Sequence, residues 1–552
     1  MRLTKVEIDY YRSIEQAKLS LPESGPLVLF GPNNAGKSNL ISAIHLFLGE
    51  RWPATHELCD SDFYMRDKSN YPNAVITCSF DDTYYHRNSQ DYRRISLRLS
   101  DDPSASMFFS EAEAVHNGGD GKLFINKDNR KAIQSFLVNA ERNTAREFSY
   151  SSQYSLLSKF SHALHSSLCS EQKKSLNDAF ESISGTFEGM DTYKSFFDCF
   201  RQVVSDSVKG FSHSLEVDFS AYDPNNYASA LRIVAIEGES KQSFDEFGTG
   251  EQQILLMAFA KAYVETFSEG SLVLIIEEPE AHLHPLAQRW LKEYLYSLCC
   301  DRMQVIISTH SPDFIDADNL EGLVRVTKNE QGTTTVAQIS AAEMASICVS
   351  TGASPKRTSE DNISLYYKAL LSTDQIKGLF AERVLIVEGP TEALSLPVLF
   401  SKIGHSPAQN GLEIVCANGK NRIPALWRFF SAYGIECHCL FDGDRGKGEA
   451  KQNVAFNPIF DVDVSNVVEN ASDGYELIGE SSAFFTEDYE SFMRAKCTGY
   501  NSYERQAREA YDASGKPEIA RIAAMLIPKD NIPSFFCSLW NAAVGENPGD
   551  PF

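Results

Sequence analysis

Gly31-Pro32-Asn33-Asn34-Ala35-Gly36-Lys37-Ser38 follows the apolar run Leu27-Val28-Leu29-Phe30. After it, Leu40, Ile41, Ile44 and Leu48 fall on one face of a helix running from Ser38 to Leu48. The eight residues match G-x-x-x-x-G-K-[ST], and a strand before and a helix after are the setting in which that pattern carries a mechanism. The glycines let backbone amides approach a phosphate at a helix N-terminus. Lys37 then reaches the β- and γ-phosphates, and Ser38 holds Mg²⁺. Gly31, Asn33, Asn34, Gly36 and Asn39 complete the nucleotide-binding candidates, and an α/β fold is predicted.

A second apolar run, Leu272 to Ile276, leads into Glu277-Glu278-Pro279. Glu277 stands where a metal-ordering carboxylate belongs, and Glu278 where a residue polarising the attacking water belongs. Upstream, Phe247-Gly248-Thr249-Gly250-Glu251-Gln252-Gln253 opens a helix; downstream, Ser308-Thr309-His310-Ser311-Pro312 follows a strand. In this order the elements resemble ABC-type ATPases of the RecF, Rad50 and SMC kind, and Glu280-Ala281-His282-Leu283-His284-Pro285 is similar to their segment after the acidic strand. The resemblance implies that Gly248 and Gly250 face the nucleotide of a partner subunit, that His310 is a switch histidine, and that the chain dimerises. Glu277 departs from the usual Asp, and there is no long heptad repeat. Arg12 gains no firm role.

The 552 residues allow two or three domains. A net charge of −24 argues against nonspecific coating of DNA. It does not exclude a nuclease, whose acidic clusters meet phosphate through bound cations. No apolar run is long enough to span a bilayer, and Met1-Arg2-Leu3-Thr4-Lys5 lacks a signal-peptide core. A cytoplasmic address without membrane contact is expected. The twelve cysteines, Cys299-Cys300 and Cys437-His438-Cys439 among them, lack metal-ligand spacing and are expected to be buried free thiols.

Along the chain, 1–104 reads as the first part of the ATPase. Residues 105–212 read as a helical insertion used for dimerisation (Leu157, Phe160, Leu164, Leu168; Leu176, Phe180, Ile183, Phe187). Strands are expected again near 214–236. Residues 213–350 are the second ATPase part, 351–380 a linker, and 381–552 a smaller domain. That last domain begins as strand 383–387, helix 391–402, strand 412–416, helix 423–433 and strand 436–441, a βα alternation that predicts a parallel sheet.

Two of its strands end in acids, Glu388-Gly389 and Asp442-Gly443-Asp444, with Glu392 one helical turn beyond Glu388. Hard oxygen ligands at strand ends suit Mg²⁺, and two ions can clamp the attacking and leaving oxygens of an in-line displacement. This resembles the Toprim fold. Together with the N-terminal ATPase and Val387-Glu388-Gly389-Pro390-Thr391-Glu392, the chain is similar to the OLD (overcoming lysogenization defect) family of nucleases. The resemblance implies Glu388, Glu392, Asp442 and Asp444 as metal ligands, Glu388 and Asp442 central to catalysis. It further implies a later acid, with Glu490 favoured over Glu487 and Asp488, and a lysine, with Lys516 favoured over Lys529. The implied cofactors are ATP and Mg²⁺, with Mn²⁺ or Ca²⁺ as alternatives at the Toprim site. The implied partners are DNA, a second copy of the chain and an accessory component of a defence system.

Lys420, Arg422, Arg428, Arg445, Lys447 and Lys451 surround the Asp442 motif in sequence and are expected to contact DNA. The leading expectation is therefore a metal-dependent DNA endonuclease coupled to an ATPase and used against phage. A RecF- or SMC-like repair ATPase with an inactive Toprim domain is the alternative. A topoisomerase or primase is weaker, for want of a tyrosine domain or a zinc module.

Overall fold

The computed structural model describes residues 1–49, 58–87, 89–117, 120–139, 155–196, 234–237, 240–243, 248–267, 270–281, 283–478 and 482–544, with Pro53 and Asp198 singly. The chain divides into two compact units, Met1–Leu137 with Val273–Phe552, and Val138–Leu272.

The N-terminal part of the first unit supplies β1 (Leu3–Tyr11), β2 (Ile14–Ser20), β3 (Leu27–Phe30), β4 (Asn73–Phe80), β5 (Arg94–Ser100), β6 (Met107–Phe109) and β7 (Ile133–Val138). Next come β8 (Ser271–Glu277), β9 (Met303–Thr309), β10 (Leu323–Lys328) and β11 (Thr334–Gln338). An antiparallel sheet runs β2-β1-β4-β5-β6, and a six-stranded sheet runs β11-β10-β3-β9-β8-β7. Every residue of β3 and β9 is buried, as in parallel strands covered on both faces. β1 instead alternates between buried and exposed positions. Helix α1 (Lys37–Leu48) buries Leu40, Ile41, Ile44 and Phe47 in one core with Val6, Ile8, Ile76, Val273 and Ile306. The nucleotide loop is therefore anchored at both ends by packed elements.

The C-terminal sheet is β13-β12-β14-β16-β15, built from β12 (Arg383–Val387), β13 (Leu412–Cys416), β14 (Glu436–Asp442), β15 (Tyr475–Ile478) and β16 (Ser482–Phe485). All its pairs are parallel except β15 with β16. The crossovers are α2 (Pro390–Ile403) and α3 (Ile423–Ala432), and Leu385, Leu399, Phe400, Leu440, Phe485 and Trp540 share its core.

The expected linker 351–380 is packed. It carries the helix Ile363–Leu370, whose Tyr367 is fully buried, and Thr351 Oγ1 accepts from Arg428 Nε at 2.6 Å. Nearby, Arg325 of β10 is buried and donates to three carbonyls of the C-terminal half, Tyr433 (3.3 Å), Gly434 (2.9 Å) and Ala381 (2.8 Å). The Phe30 ring at the end of β3 lies 5.6 Å from Phe380 and 6.1 Å from Tyr433.

The second unit, Val138–Leu272, follows β6 and β7, which are paired into the sheets of the first unit. It contains the helices Leu156–Ser167, Ser170–Glu188 and Thr249–Phe267, with Phe160 edge-on to Phe259 at 5.4 Å. Of the strands expected over 214–236, only a hairpin starting at Val234 is described; Leu215, Val217 and Phe219 lie outside the described residues. Cys78, Cys348, Cys439 and Cys497 are buried free thiols, whereas Cys59, Cys169, Cys300 and Cys537 are exposed. Among the described residues no helix is long and apolar enough to cross a membrane.

Candidate active site

Backbone conformation sets the nucleotide loop. Gly36 caps α1 at φ 110°, and Gly31 takes φ 141°. A Cβ at Gly31 would overlap the Val326 carbonyl, and one at Gly36 the Thr334 hydroxyl, so the loop leans on β10 and β11 as only glycine can. Thr334 Oγ1 donates to Ala35 O at 2.9 Å and lies 2.7 Å from Ser13 Oγ. Asn39 donates to the same Ser13 oxygen at 2.7 Å, so its amide braces the loop. Asn33 and Asn34 are exposed, and Asn34 Oδ1 accepts from Lys328 at 3.3 Å.

Lys37 is buried, and its Nζ donates to the Gly31 and Pro32 carbonyls at 2.9 Å each. Burial lowers its pKa to about 8 against the opposing pull of Glu278 and Glu280. Glu278 stands at φ 46°, tied through its N–H to Ser308 O at 2.8 Å, with Oε1 3.7 Å from His310 Nε2. A left-handed glutamate costs about 1–2 kcal/mol, a strain typical of sites that aim a side chain. Glu280 has no role in the sequence reading beyond its motif, yet its Oε1 accepts the His310 N–H at 2.6 Å. Burial raises the Glu280 carboxyl; burial, then Lys37, lowers His310. Glu278, Glu280, His310 and Lys37 are thus brought together. Glu277 closes β8 half-buried, and Ser38, the second residue of α1, is exposed. Gly248 and Gly250 belong to the helical unit, where Glu251 Oε2 accepts the Gly248 N–H at 3.2 Å.

The second site lies at the carboxyl ends of parallel strands, where α/β sheets bind ligands. Val387 is in register with Leu440, which sets Glu388 beside the end of β14. Backbone amides aim the acids: Asp442 N–H donates to Glu388 Oε2 (3.1 Å), Gly389 N–H to Glu392 Oε2 (3.0 Å) and Tyr489 N–H to Asp442 Oδ1 (3.1 Å). Burial raises all three carboxyls, Glu392 to about 7. Glu388 and Glu490 push Glu392 further in that direction, and Glu392, Glu388, Asp444 and Asp488 do so for Asp442. Glu392 is buried and Glu388 and Asp442 half-buried, and such mutually repelling carboxylates are the oxygen type a hard divalent cation takes. Among the described residues no three acids, histidines or cysteines stand close enough together to hold a metal ion as they are.

Asp444 turns away through φ 54°; its N–H donates to Glu487 O at 2.9 Å, and its Oδ2 takes Lys420 Nζ at 2.5 Å. Asp488 caps the helix Tyr489–Lys496 and takes Lys447 at 2.6 Å; burial raises its carboxyl, but the bonds from Lys447 and Ser491 prevail and hold it at about 2. Glu490 is 3.7 Å from Lys516 Nζ, which puts Lys516 beside the acids. Glu487 contributes only its backbone to Asp444, and Lys529 is exposed in the turn Lys529–Asn531.

The basic stretch is not the DNA-facing row expected. Lys420 and Arg428 are buried, Arg422 donates to Leu370 O, and Arg445 donates to Ala471 O at 2.9 Å. Lys447 binds the acids, leaving Lys451 exposed. Charge near a motif in sequence could not reveal which side chains turn inward.

The family model of the AAA ATPase domain matches residues 1–115 and 110–315, and that of the overcoming lysogenization defect protein-like TOPRIM domain matches 379–444. The chain is similar to the OLD nuclease of Thermus scotoductus, 26% identical over 80% of this chain and 82% of that protein. It is also similar to the Old nuclease of Escherichia phage P2 (25%; 80% and 77%) and to Endonuclease GajA of Bacillus cereus (24%; 73% and 68%). Among solved structures, an SMC head bound to the C-terminal winged-helix domain of ScpA aligns at TM-score 0.38 and 17% identity, over 61% of this chain and 98% of that one.

Proposed function

We propose, for a chain that belongs to the overcoming-lysogenization-defect family of joined AAA ATPase and Toprim domains, that the C-terminal site cuts phosphodiester bonds in DNA under control of the nucleotide site. The observation that carries this reading is the convergence of the mutually repelling Glu388, Glu392 and Asp442, the first and last half-buried and Glu392 buried, beside the carboxyl ends of the parallel strands β12 and β14. Glu388, Glu392 and Asp442 would hold a divalent ion, with Asp444 and Glu490 at its margin. Mg²⁺ or Mn²⁺ bound there would supply the positive charge that displacement at phosphorus requires. Lys516, 3.7 Å from Glu490, would contact a phosphate oxygen and balance the charge that builds on it. Asp442 is fixed by the Tyr489 amide, and Glu392 by that of Gly389, so both keep their aim without rearrangement.

At the other site, Lys37 would leave the Gly31 and Pro32 carbonyls for the phosphates of ATP. Glu278, positioned beside His310, would orient the attacking water, while Ser38 and Glu277 hold Mg²⁺. Gly248 and Gly250 would complete this site in a second copy, making a homodimer the working form. The nuclease relatives, one of them from a phage, support a role in anti-phage defence, which plating phage on cells with and without the protein would test.

The deciding assay is cleavage of supercoiled plasmid by wild type, Asp442→Ala and Lys37→Ala, with Mg²⁺ or Mn²⁺ and with or without ATP. Asp442→Ala is expected to abolish cutting, and Lys37→Ala to abolish ATP hydrolysis and alter the nucleotide response of cutting. Unchanged cutting by Asp442→Ala would overturn the assignment.

A further inference from the structure

The acids of the second site fall into two groups when their nearest cations are followed. Glu388, Glu392 and Asp442 receive backbone amides but no ammonium within ion-pair distance among the described residues, although Glu388 feels the charges of Lys420 and Lys447 from further off. Asp444 is held by two. Lys420 Nζ reaches its Oδ2 at 2.5 Å from beneath, and Lys447 Nζ lies 3.4 Å from its Oδ1 while also binding Asp488 at 2.6 Å. The lysines differ in freedom: the Lys420 side chain is 2% exposed and that of Lys447 is 42% exposed.

Lys420 is also tied into the turn that carries the acids. Its ammonium donates to Asn453 Oδ1 at 3.3 Å, and Asn453 Nδ2 donates to the Gly443 carbonyl at 2.8 Å. A lysine almost fully out of water needs a fixed carboxylate partner, and here that partner is the second aspartate of the Asp442-Gly443-Asp444 motif. An ammonium so placed has no slack with which to swing toward DNA.

We propose that Lys420 is a built-in cation of the nuclease centre, a positioning residue that neutralises Asp444 from the buried side and makes the two halves of the centre unequal. This rests on the nuclease reading above. The half formed by Glu388, Glu392 and Asp442 takes the first divalent ion, which draws the three carboxylates together. The Asp444 half, already balanced by Lys420 and Lys447, takes a second ion only weakly until Lys447 lets go. Lys447 is the exposed member, and an incoming DNA phosphate is the group that would draw it off.

The test is calorimetric titration of Mn²⁺ into the nucleotide-free full chain, with Asp442→Ala as the blank, followed by plasmid cleavage. Wild type is expected to bind one ion per chain with a second at least tenfold weaker. Lys420→Met and Lys447→Gln are expected to raise the affinity of the second ion at least tenfold, a change that mere loss of structure would not produce. If Lys420→Met does not fold, as judged by circular dichroism, the exposed Lys447→Gln decides. Two equal ions in the wild type, or a second ion no tighter in Lys447→Gln and in folded Lys420→Met, overturns the inference while leaving the nuclease reading intact. No ion above the blank, together with no metal-dependent cutting, overturns the nuclease reading itself.

Discussion

Replacing Arg325 with methionine tests whether the ATPase core and the nuclease domain are held together by one buried side chain. Methionine keeps much of the volume but removes the three bonds to the Tyr433, Gly434 and Ala381 carbonyls. A buried carbonyl left unpartnered, as at Tyr433, costs about 1–3 kcal/mol, and the part-buried carbonyls of Gly434 and Ala381 somewhat less. Against this stands the relief of no longer burying a guanidinium, a cost visible in an Arg325 pKa lowered chiefly by burial. The net loss should be on the order of 3–5 kcal/mol, the scale on which breaking a buried polar cluster from one side is felt. At roughly 2–4 °C per kcal/mol for a domain of this size, the main calorimetric transition should fall by about 10 °C. Arg325→Lys, which can retain part of the bonding, should fall between the two. A methionine variant melting within about 2 °C of wild type would show that the carbonyls find other partners and that the junction does not depend on this residue.

Three further outcomes follow from the same geometry. In EDTA, Glu392 is the side chain to watch: its carboxyl is raised to about 7 from an ordinary 4.5, first by burial, so the folded state holds its proton longer than the unfolded chain. Its contribution to stability is therefore present below about pH 4.5 and is lost as pH rises through 7. Melting temperature should drop over that window in wild type more than in Glu392→Gln, and Mg²⁺ at pH 8 should restore wild type alone; parallel curves would refute this. Gly443→Ala places a Cβ 2.8 Å from the Phe485 and Thr486 carbonyls and from Val468 Cγ1, so it should destabilise by about 1–3 kcal/mol by overpacking and weaken Mn²⁺ binding in titration. Glu280→Ala frees the His310 amide and should lower ATP turnover at least tenfold while leaving nucleotide binding near wild type, as read by steady-state hydrolysis and fluorescent-nucleotide titration.

Much of the fold was legible because its signals are local. A four-residue apolar strand, a glycine loop and an amphipathic helix are contiguous from Leu27 to Leu48, and the acids of the second site sit at the ends of apolar runs that became β12 and β14. What stayed hidden depends on contacts far apart in sequence. Lys420 and Arg428 read as solvent-facing cations because nothing local marks their partners, Asp444 and Thr351, 24 and 77 residues away. Glu280 escaped attention because its partner is a backbone N–H 30 residues on, invisible to any pattern of side chains. β6 is also hard to read from sequence, because three residues are too few for an alternation to stand out.

Strand β10 has one further property. Val326 presents its carbonyl to Gly31 at the mouth of the phosphate loop, and the preceding residue, Arg325, is the one clasping the Toprim carbonyls. Two chemistries are thereby fastened to adjacent links of a single extended segment, with no hinge between. A drug or mutation that loosens that segment should therefore disturb fuel use and cutting at once.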